Sequence, residues 1–188
     1  MRILIVNNGL IPVIKYGGTE RVIWSLGKEL VNLGHNVAFL VKKGSYCNFA
    51  PVFHIDESKK ILEQISNDFD VVHFNFLPED IETIRIPYLI TMHGNSNELT
   101  DLNKNTVFVS QNHASRYNSN SFIHNGLDWS EYETPNFEGK RSHFHFLGNA
   151  AWRVKNVKGA IDIIKKTKSE HLKVLGGVRF NFNMGIRL

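Results

Sequence analysis

The sequence predicts an α/β protein built around a doubly wound, parallel β-sheet. Continuous apolar runs such as RILIVN, residues 2–7, are typical of strands that are buried on both faces. These runs alternate with segments of helical period. In the segment after Gly18 the apolar residues recur along one stripe, which consists of Val22, Ile23, Leu26, Leu30 and Leu33.

The elements follow in order along the chain. The first helix is expected to end at Gly34, because a glycine directly after the last periodic residue is a helix-stop signal, and NVAFLV then predicts the second strand. Further strands are expected in APVFHI, DVVHFNF (residues 70–76), PYLITMHG (residues 87–94), NTVFVS and NSFIHNG. Helices are expected in DESKKILEQISNDF, PEDIETI and QNHASRY.

The pattern lapses over residues 134–142 (TPNFEGKRS), which are polar, contain Pro and Gly and indicate a linker. A second β-α-β unit then begins, with strands in HFHFLGN and HLKVLGG around a helix in NVKGAIDIIKKTK. Roughly 45 residues of such a fold do not bury a full core by themselves. We therefore predict one domain over residues 1–138 and the beginning of a second, incomplete unit over residues 139–188.

The composition favours a cytoplasmic protein. Its single cysteine, Cys47, cannot form an internal disulfide, and the sequence shows neither a signal peptide nor an apolar run of about 20 residues. The net charge of +4 suits an anionic ligand but is weaker than is usual for nucleic-acid binding, so no nucleic-acid partner is expected. The nine histidines lack the spacing of a metal site, so no metal is predicted.

Ligands of doubly wound sheets bind beyond the carboxyl ends of the strands. At one such end, Gly17 and Gly18 precede the first helix, where a close backbone and free N–H groups suit a phosphate. A plain turn is the alternative for them, and Glu20 could simply favour the helix dipole. His93 follows another strand and is placed to bind a sugar hydroxyl, unless it is only a packed histidine.

Three cations lie where the helix of the second unit begins: Arg153, Lys155 and Lys158. The helix macrodipole disfavours positive charge at this end, and a bound diphosphate would relieve the conflict. The alternative is a solvated basic loop.

Taken in order, these segments resemble the group 1 retaining glycosyltransferases of the GT-B fold, which are built from Rossmann-like domains. The resemblance rests on GGTERVIWSLGKELVNLGHNVAFL, DVVHFNF, PYLITMHG, VFVSQNHAS, HNGLDWSEY, FLGNAAWRVKNVKGAIDII and LKVLGG, and covers nearly the whole chain. It implies metal-independent transfer of a sugar, with retained configuration, from a UDP- or GDP-type nucleotide diphosphate sugar to a glycan or lipid-linked acceptor. It also implies a cytoplasmic location, free or at the inner face of the membrane.

The resemblance assigns roles to the candidate residues of the first domain. It implies that Gly17 and Gly18 lie under the phosphates and sugar of the donor, and that His93 contacts the transferred sugar. Glu20 falls near the acceptor side and completes the candidate catalytic pair with His93.

In the second unit, the resemblance pairs Lys158 with the donor diphosphate. The accompanying arginine of the family directly follows the strand glycine, whereas Gly148 is followed here by Asn149. Arg153 and Lys155 therefore compete for that role.

The paired-glutamate motif of the family lies beyond the point where this sequence ends, so we expect residues 1–188 alone to be inactive. The alternative is a non-catalytic Rossmann-like binding module that lacks the donor half. A nicotinamide-dependent oxidoreductase would require G-x-G-x-x-G after the first strand and an acid after the second. The sequence has NNGLIPVIKYGG and LVKKG at these places.

Overall fold

A computed structural model describes residues 1–13, 17–95 and 102–176 of the chain. The fold divides into two compact units between Tyr132 and Glu133. The elements of the first unit are β1 (Arg2–Asn7), α1 (Gly18–Asn32), β2 (Asn36–Val41), β3 (Val52–His54), β4 (Val71–Phe74), β5 (Tyr88–Met92), β6 (Thr106–Phe108) and α2 (Gln111–Ser115). Those of the second are β7 (Phe144–Leu147), α3 (Val157–Ile164) and β8 (Leu172–Leu175).

The first unit contains a six-stranded sheet in the order β3-β2-β1-β4-β5-β6, and every neighbouring pair is parallel. The strand order reverses between β1 and β4, which defines the topological switch point of the sheet. This arrangement confirms the predicted α/β, doubly wound class, and it places the ends of β1, β4 and β5 side by side.

The core lies on both faces of this sheet because successive side chains of a strand point to opposite sides. Leu4 and Val6 of β1 join one buried cluster, whereas Ile3 and Ile5 join the other. Ile23 of α1 belongs to the second cluster, so α1 covers that face. The continuous apolar runs in the sequence therefore reflect strands that are buried on both sides.

Helix α1 lies unusually close to β2. A Cβ added to Gly27 would lie 2.4 Å from the ring of Phe39, which is fully buried. At its carboxyl end, Gly34 adopts a φ of +84°, in the left-handed region that terminates helices. The predicted helix stop at Gly34 is thereby confirmed.

The helix predicted in DESKKILEQISNDF is wrong. Only a 3-10 turn, Leu62–Gln64, forms there. The Gln64 side-chain amide donates hydrogen bonds to the carbonyls of Asp56, Lys59 and Lys60 and accepts one from the Asp56 N–H. These bonds replace the helical ladder, which is how side-chain amides compete with regular structure.

Two shorter predictions also change. PEDIETI forms the 3-10 turn Ile81–Thr83 rather than an α-helix. The last strand predicted in NSFIHNG is reduced to one isolated parallel bridge between Phe122 and Phe108. The remaining predicted strands of the first unit form within a few residues of their expected limits.

The second unit pairs β7 with β8 in parallel and carries α3. A 3-10 turn, Arg153–Lys155, precedes this helix. Asn156 begins α3 with a φ of 55°, and its Oδ1 accepts a hydrogen bond from the Gly159 N–H. Over the described ranges of the chain, every helix falls short of the length and apolar character needed to cross a bilayer.

Candidate functional site

Three polar residues meet at the carboxyl edge of the six-stranded sheet. Asn7 is the last residue of β1, Asn75 directly follows β4, and His93 directly follows β5. Because β1, β4 and β5 are adjacent and parallel, their ends bring these side chains together at the switch point. Among these three residues, the sequence analysis had selected only His93 as a site residue.

The hydrogen bonds of Asn75 determine the tautomer of His93. Asn75 Nδ2 donates to the carbonyl of Val6 at 3.1 Å, so its Oδ1 faces His93 Nε2 at 2.9 Å. An amide oxygen only accepts hydrogen bonds, so Nε2 carries the proton. The neutral ring therefore presents Nδ1 as an acceptor.

Burial lowers the pKa of His93, and this effect outweighs the opposing charge of Glu20; His113 lowers the pKa further. The ring is thus held in its neutral form near pH 7. Its Nδ1 is buried and has no hydrogen-bond partner within the described part of the chain. A ligand that satisfies this atom must supply a hydrogen-bond donor, such as a hydroxyl group.

Two more buried polar atoms lack partners among the described residues: Asn7 Nδ2 and His113 Nε2. Asn7 is only 3% exposed, and His113, in α2, is 7% exposed and packs its ring against Phe108 and Tyr117. An unsatisfied buried polar group costs roughly 1–3 kcal/mol. Such atoms concentrated near one sheet edge are typical of a ligand site. No pattern in the sequence indicated His113, which lies inside a helix.

The carboxylate of Glu20 lies between two glycines. A Cβ on Gly9 would lie 2.6 Å from Glu20 Oε1, and a Cβ on Gly17 would lie 2.7 Å from Oε2. Gly17, with a φ of +150°, therefore leaves room for this carboxylate. Gly18 faces open space, since a Cβ there would meet no atom within 4 Å.

The first turn of α1 has no side-chain cap from its N-cap residue. Gly17 is the N-cap residue and supplies no side-chain hydrogen bond to the first turn. An α-helix begins with four N–H groups that have no partner inside the helix. In a helix of 15 residues these groups and the macrodipole suit an anion.

The three cations of the second unit are exposed and surround the start of α3. Arg153 and Lys155 lie on the 3-10 turn, and Lys158 lies in the first turn of the helix, which holds no acidic residue. The Cγ of Lys155 lies 3.8 Å from the position that a Cβ on Gly148 would occupy. Lys155 is thus next to the strand glycine.

A second histidine of the first unit, His73, lies within β4 and is largely buried. His73 Nε2 is 2.7 Å from Thr91 Oγ1, and burial together with the charge of His93 lowers the pKa of His73 to about 4.

Across residues 1–13, 17–95 and 102–176, no three His, Cys, Asp or Glu residues are grouped as metal ligands.

No protein-family model and no curated protein matches the sequence. Among solved structures, the chain is similar to the crystal structure of AviGT4, a glycosyltransferase involved in avilamycin A biosynthesis, with a TM-score of 0.63 and 16% sequence identity. The match covers 94% of this chain and 63% of AviGT4, so the chain spans less than two thirds of that protein. The likeness shows that the two proteins share a fold.

Proposed function

We propose that this chain forms part of the site of a glycosyltransferase that moves a sugar from a nucleotide diphosphate sugar to a hydroxyl group. The observation that carries the proposal is the unsatisfied pair at the sheet edge, the acceptor His93 Nδ1 and the donor Asn7 Nδ2. Sugar hydroxyls both donate and accept hydrogen bonds, so a sugar satisfies both atoms. The shared fold with AviGT4 supports the same class of reaction.

His93, Gly17 and Gly18 of the first unit take roles on the donor side. His93 Nδ1 accepts a hydrogen bond from a hydroxyl of the transferred sugar. The open N–H groups at Gly18 and the following residues bind the phosphate end, where their partial positive charge stabilises an anion. Gly17 contributes through the room that it leaves for Glu20.

The resemblance assigns the positive charge for the leaving group to cations of the second unit. Lys158 pairs with the diphosphate, and Lys155 takes the role that an arginine fills in the family, because it is the cation that lies next to Gly148. Arg153 adds charge from the same turn. Fixed cations at a departing diphosphate stabilise the charge that develops in the transition state.

The proposed reaction is balanced as follows. The bond between the anomeric carbon and the diphosphate oxygen breaks, and the electron pair leaves with the nucleotide diphosphate. The acceptor oxygen bonds to the same face of the sugar, which retains its configuration, and its proton passes to the departing diphosphate. The donor is of the UDP or GDP type, and the acceptor is a glycan or glycolipid met in the cytoplasm or at the inner face of the membrane.

Calorimetric titration with UDP- and GDP-sugars, and with UDP and GDP alone, tests the proposal. We expect His93→Phe to weaken the binding of one nucleotide sugar by about tenfold while the binding of its nucleotide is unchanged, because only the sugar contact is lost. Lys158→Ala should weaken both. His35→Phe is the matched control, since His35 lies before β2 at the opposite edge of the sheet.

Failure of every nucleotide sugar to bind would refute the proposal. Assays of sugar transfer and of donor hydrolysis on the same protein test the expectation that residues 1–188 alone are inactive, and turnover would contradict it.

A further inference from the structure

A groove of about 460 Å³ opens at the amino edge of the six-stranded sheet, whereas His93 lies at the carboxyl edge. The groove runs beside the beginning of β2. Phe53, in the edge strand β3, borders it and is 53% exposed. The apolar side chains that line the groove include Val31, Val37, Ala38, Phe49, Phe53 and Phe69. Apolar surface that is open to solvent around a groove is typical of an interaction site.

The groove follows a stretch of β2 that has no neighbouring strand on its outer side. β2 begins at Asn36, but β3 pairs with it only from Phe39 onward. The N–H of Asn36 donates toward β1, to the Met1 carbonyl, and the N–H of Phe39 donates toward β3, to the Pro51 carbonyl. Successive residues of a strand direct their backbone groups to alternate sides, so both groups of Val37 face the outer side. Neither group bonds to another backbone group among the described residues.

Pro51 explains why the chain does not close this edge itself. The register between β2 and β3, continued toward Asn36, brings the nitrogen of Pro51 opposite the carbonyl of Val37. Proline has no N–H to donate, and for that reason it is confined to the ends and edges of strands. The Val37 carbonyl therefore remains an acceptor for an N–H from another chain.

An extended peptide matches both the polar and the apolar features of the groove. Its backbone supplies an N–H for the Val37 carbonyl and a carbonyl for the Val37 N–H, as in other peptides that add a strand to a sheet edge. Alternate side chains of an added strand point to opposite faces of the sheet. The groove has apolar walls on both faces, since Phe49 packs with the buried cluster of Val37 and Phe69 packs with that of Ala38. A lipid tail would leave both backbone groups of Val37 unsatisfied.

The charge at the groove favours an acidic partner. Arg2 is exposed and lines the groove, and no Asp or Glu lines it among the described residues. The nearby carboxylate of Asp70 accepts a hydrogen bond from the Arg2 backbone N–H at 2.6 Å. An arginine side chain binds carboxylates well because its guanidinium group donates two parallel hydrogen bonds. We infer that this groove binds an extended segment of a partner protein that carries consecutive apolar residues followed by an acidic one.

The test uses the peptide acetyl-Ser-Val-Leu-Val-Glu amide, titrated into the nitrogen-15-labelled chain and followed by NMR. We expect the peptide to slow hydrogen exchange of the Val37 amide by about tenfold or more, because that amide gains a partner. Methylation of the peptide nitrogens should weaken binding by about tenfold, since it removes the donors. Phe53→Ala should weaken binding by a similar factor, because the peptide loses apolar contact with the ring. Phe137→Ala is the matched control, since Phe137 is 72% exposed and lies in the second unit.

Several outcomes would overturn the inference. These are absence of peptide binding at millimolar concentration, unchanged exchange of the Val37 amide, and equal binding of the methylated peptide. Equal binding of a peptide with glutamine in place of glutamate would remove the role of Arg2. Sedimentation and a titration with laurate test the other occupants. A dimer that Phe53→Ala dissociates and that excludes the peptide would identify a second copy of the chain as the occupant, and displacement of the peptide by laurate would identify a lipid.

Discussion

The close contact between α1 and β2 makes Gly27→Ala an informative perturbation. Gly27 is buried in the middle of α1, and an added Cβ would lie 2.4 Å from one ring carbon of Phe39 and 3.0 Å from a second. Phe39 is fully buried and also contacts the ring of Phe49 edge-on at 6.0 Å. Because the ring is rigid, buried and packed, either the ring or the helix must shift to admit the Cβ.

Two opposing effects determine the magnitude. Replacing Gly by Ala inside a helix stabilises it by about 1 kcal/mol through backbone entropy. Overpacking a close-packed core costs typically 1–3 kcal/mol, and a contact of 2.4 Å against an immobile ring lies at the upper end of that range. We therefore expect Gly27→Ala to lower the free energy of unfolding by about 1–2 kcal/mol, although it improves the helix propensity.

Urea unfolding followed by far-UV circular dichroism measures this change. The control is Gly18→Ala, the same substitution in the same helix at a position where a Cβ meets no atom within 4 Å. Gly18→Ala should leave the unfolding midpoint unchanged or raise it slightly. If Gly27→Ala is as stable as the wild type, or more stable, the reasoning from the Phe39 contact is wrong.

Three further predictions concern the protonation of individual side chains. Burial lowers the pKa of His73 to about 4, so the unfolded chain takes up a proton first as the pH falls, and stability should drop by roughly 3 kcal/mol between pH 6.5 and 4. His73→Gln should remove this part of the pH dependence of urea unfolding, and an unchanged slope would contradict the assignment. The hydrogen bond from Lys28, followed by bonds from Ser130, lowers the pKa of Asp128 to about 2. In Lys28→Met, carbon-13 NMR should find the pKa of Asp128 raised toward 3.8. The free energy of unfolding should fall at pH values above 3.8, where the ionised carboxylate stabilises the folded wild type. Nitrogen-15 NMR should show His93 protonated at Nε2, and Asn75→Leu should abolish that preference; a Nδ1–H ring in the wild type would refute it.

The strands could be predicted from the sequence because burial on both faces leaves a direct mark in the chain. Every position of β1 from Ile3 to Asn7 is buried, and the run RILIVN reflects that environment residue by residue. Helices are harder because a partly apolar stripe fits several local structures. The segment around Gln64 has the correct stripe, and its apolar residues do pack on the core. Its backbone conformation is instead stabilised by the hydrogen bonds of the Gln64 side-chain amide, which hydrophobic periodicity does not predict.

The candidate site could likewise be predicted only in part from the sequence. The rule that ligands bind beyond strand ends selected His93 in advance, because the end of a strand can be read from the sequence. The tautomer of His93 could not be read, since it depends on Asn75, 18 residues away, and on the carbonyl of Val6 in another strand. The orphaned nitrogen of Asn7 is likewise a property of packing around the strand end.

Gly17 illustrates why a local motif underdetermines a mechanism. Its sequence context fits a phosphate loop and a plain turn equally well, because both require a flexible backbone before a helix. The structure adds a third reason, since Gly17 and Gly9 together leave space for the carboxylate of Glu20. If that space is what the site requires, then Gly17→Ala and Gly9→Ala should alike weaken the binding of a nucleotide sugar while that of its nucleotide is unchanged, whereas Gly18→Ala should weaken both. A phosphate loop in the simple sense predicts instead that Gly17→Ala and Gly18→Ala behave alike, so titrations of these three variants with a nucleotide sugar and with its nucleotide distinguish the two explanations.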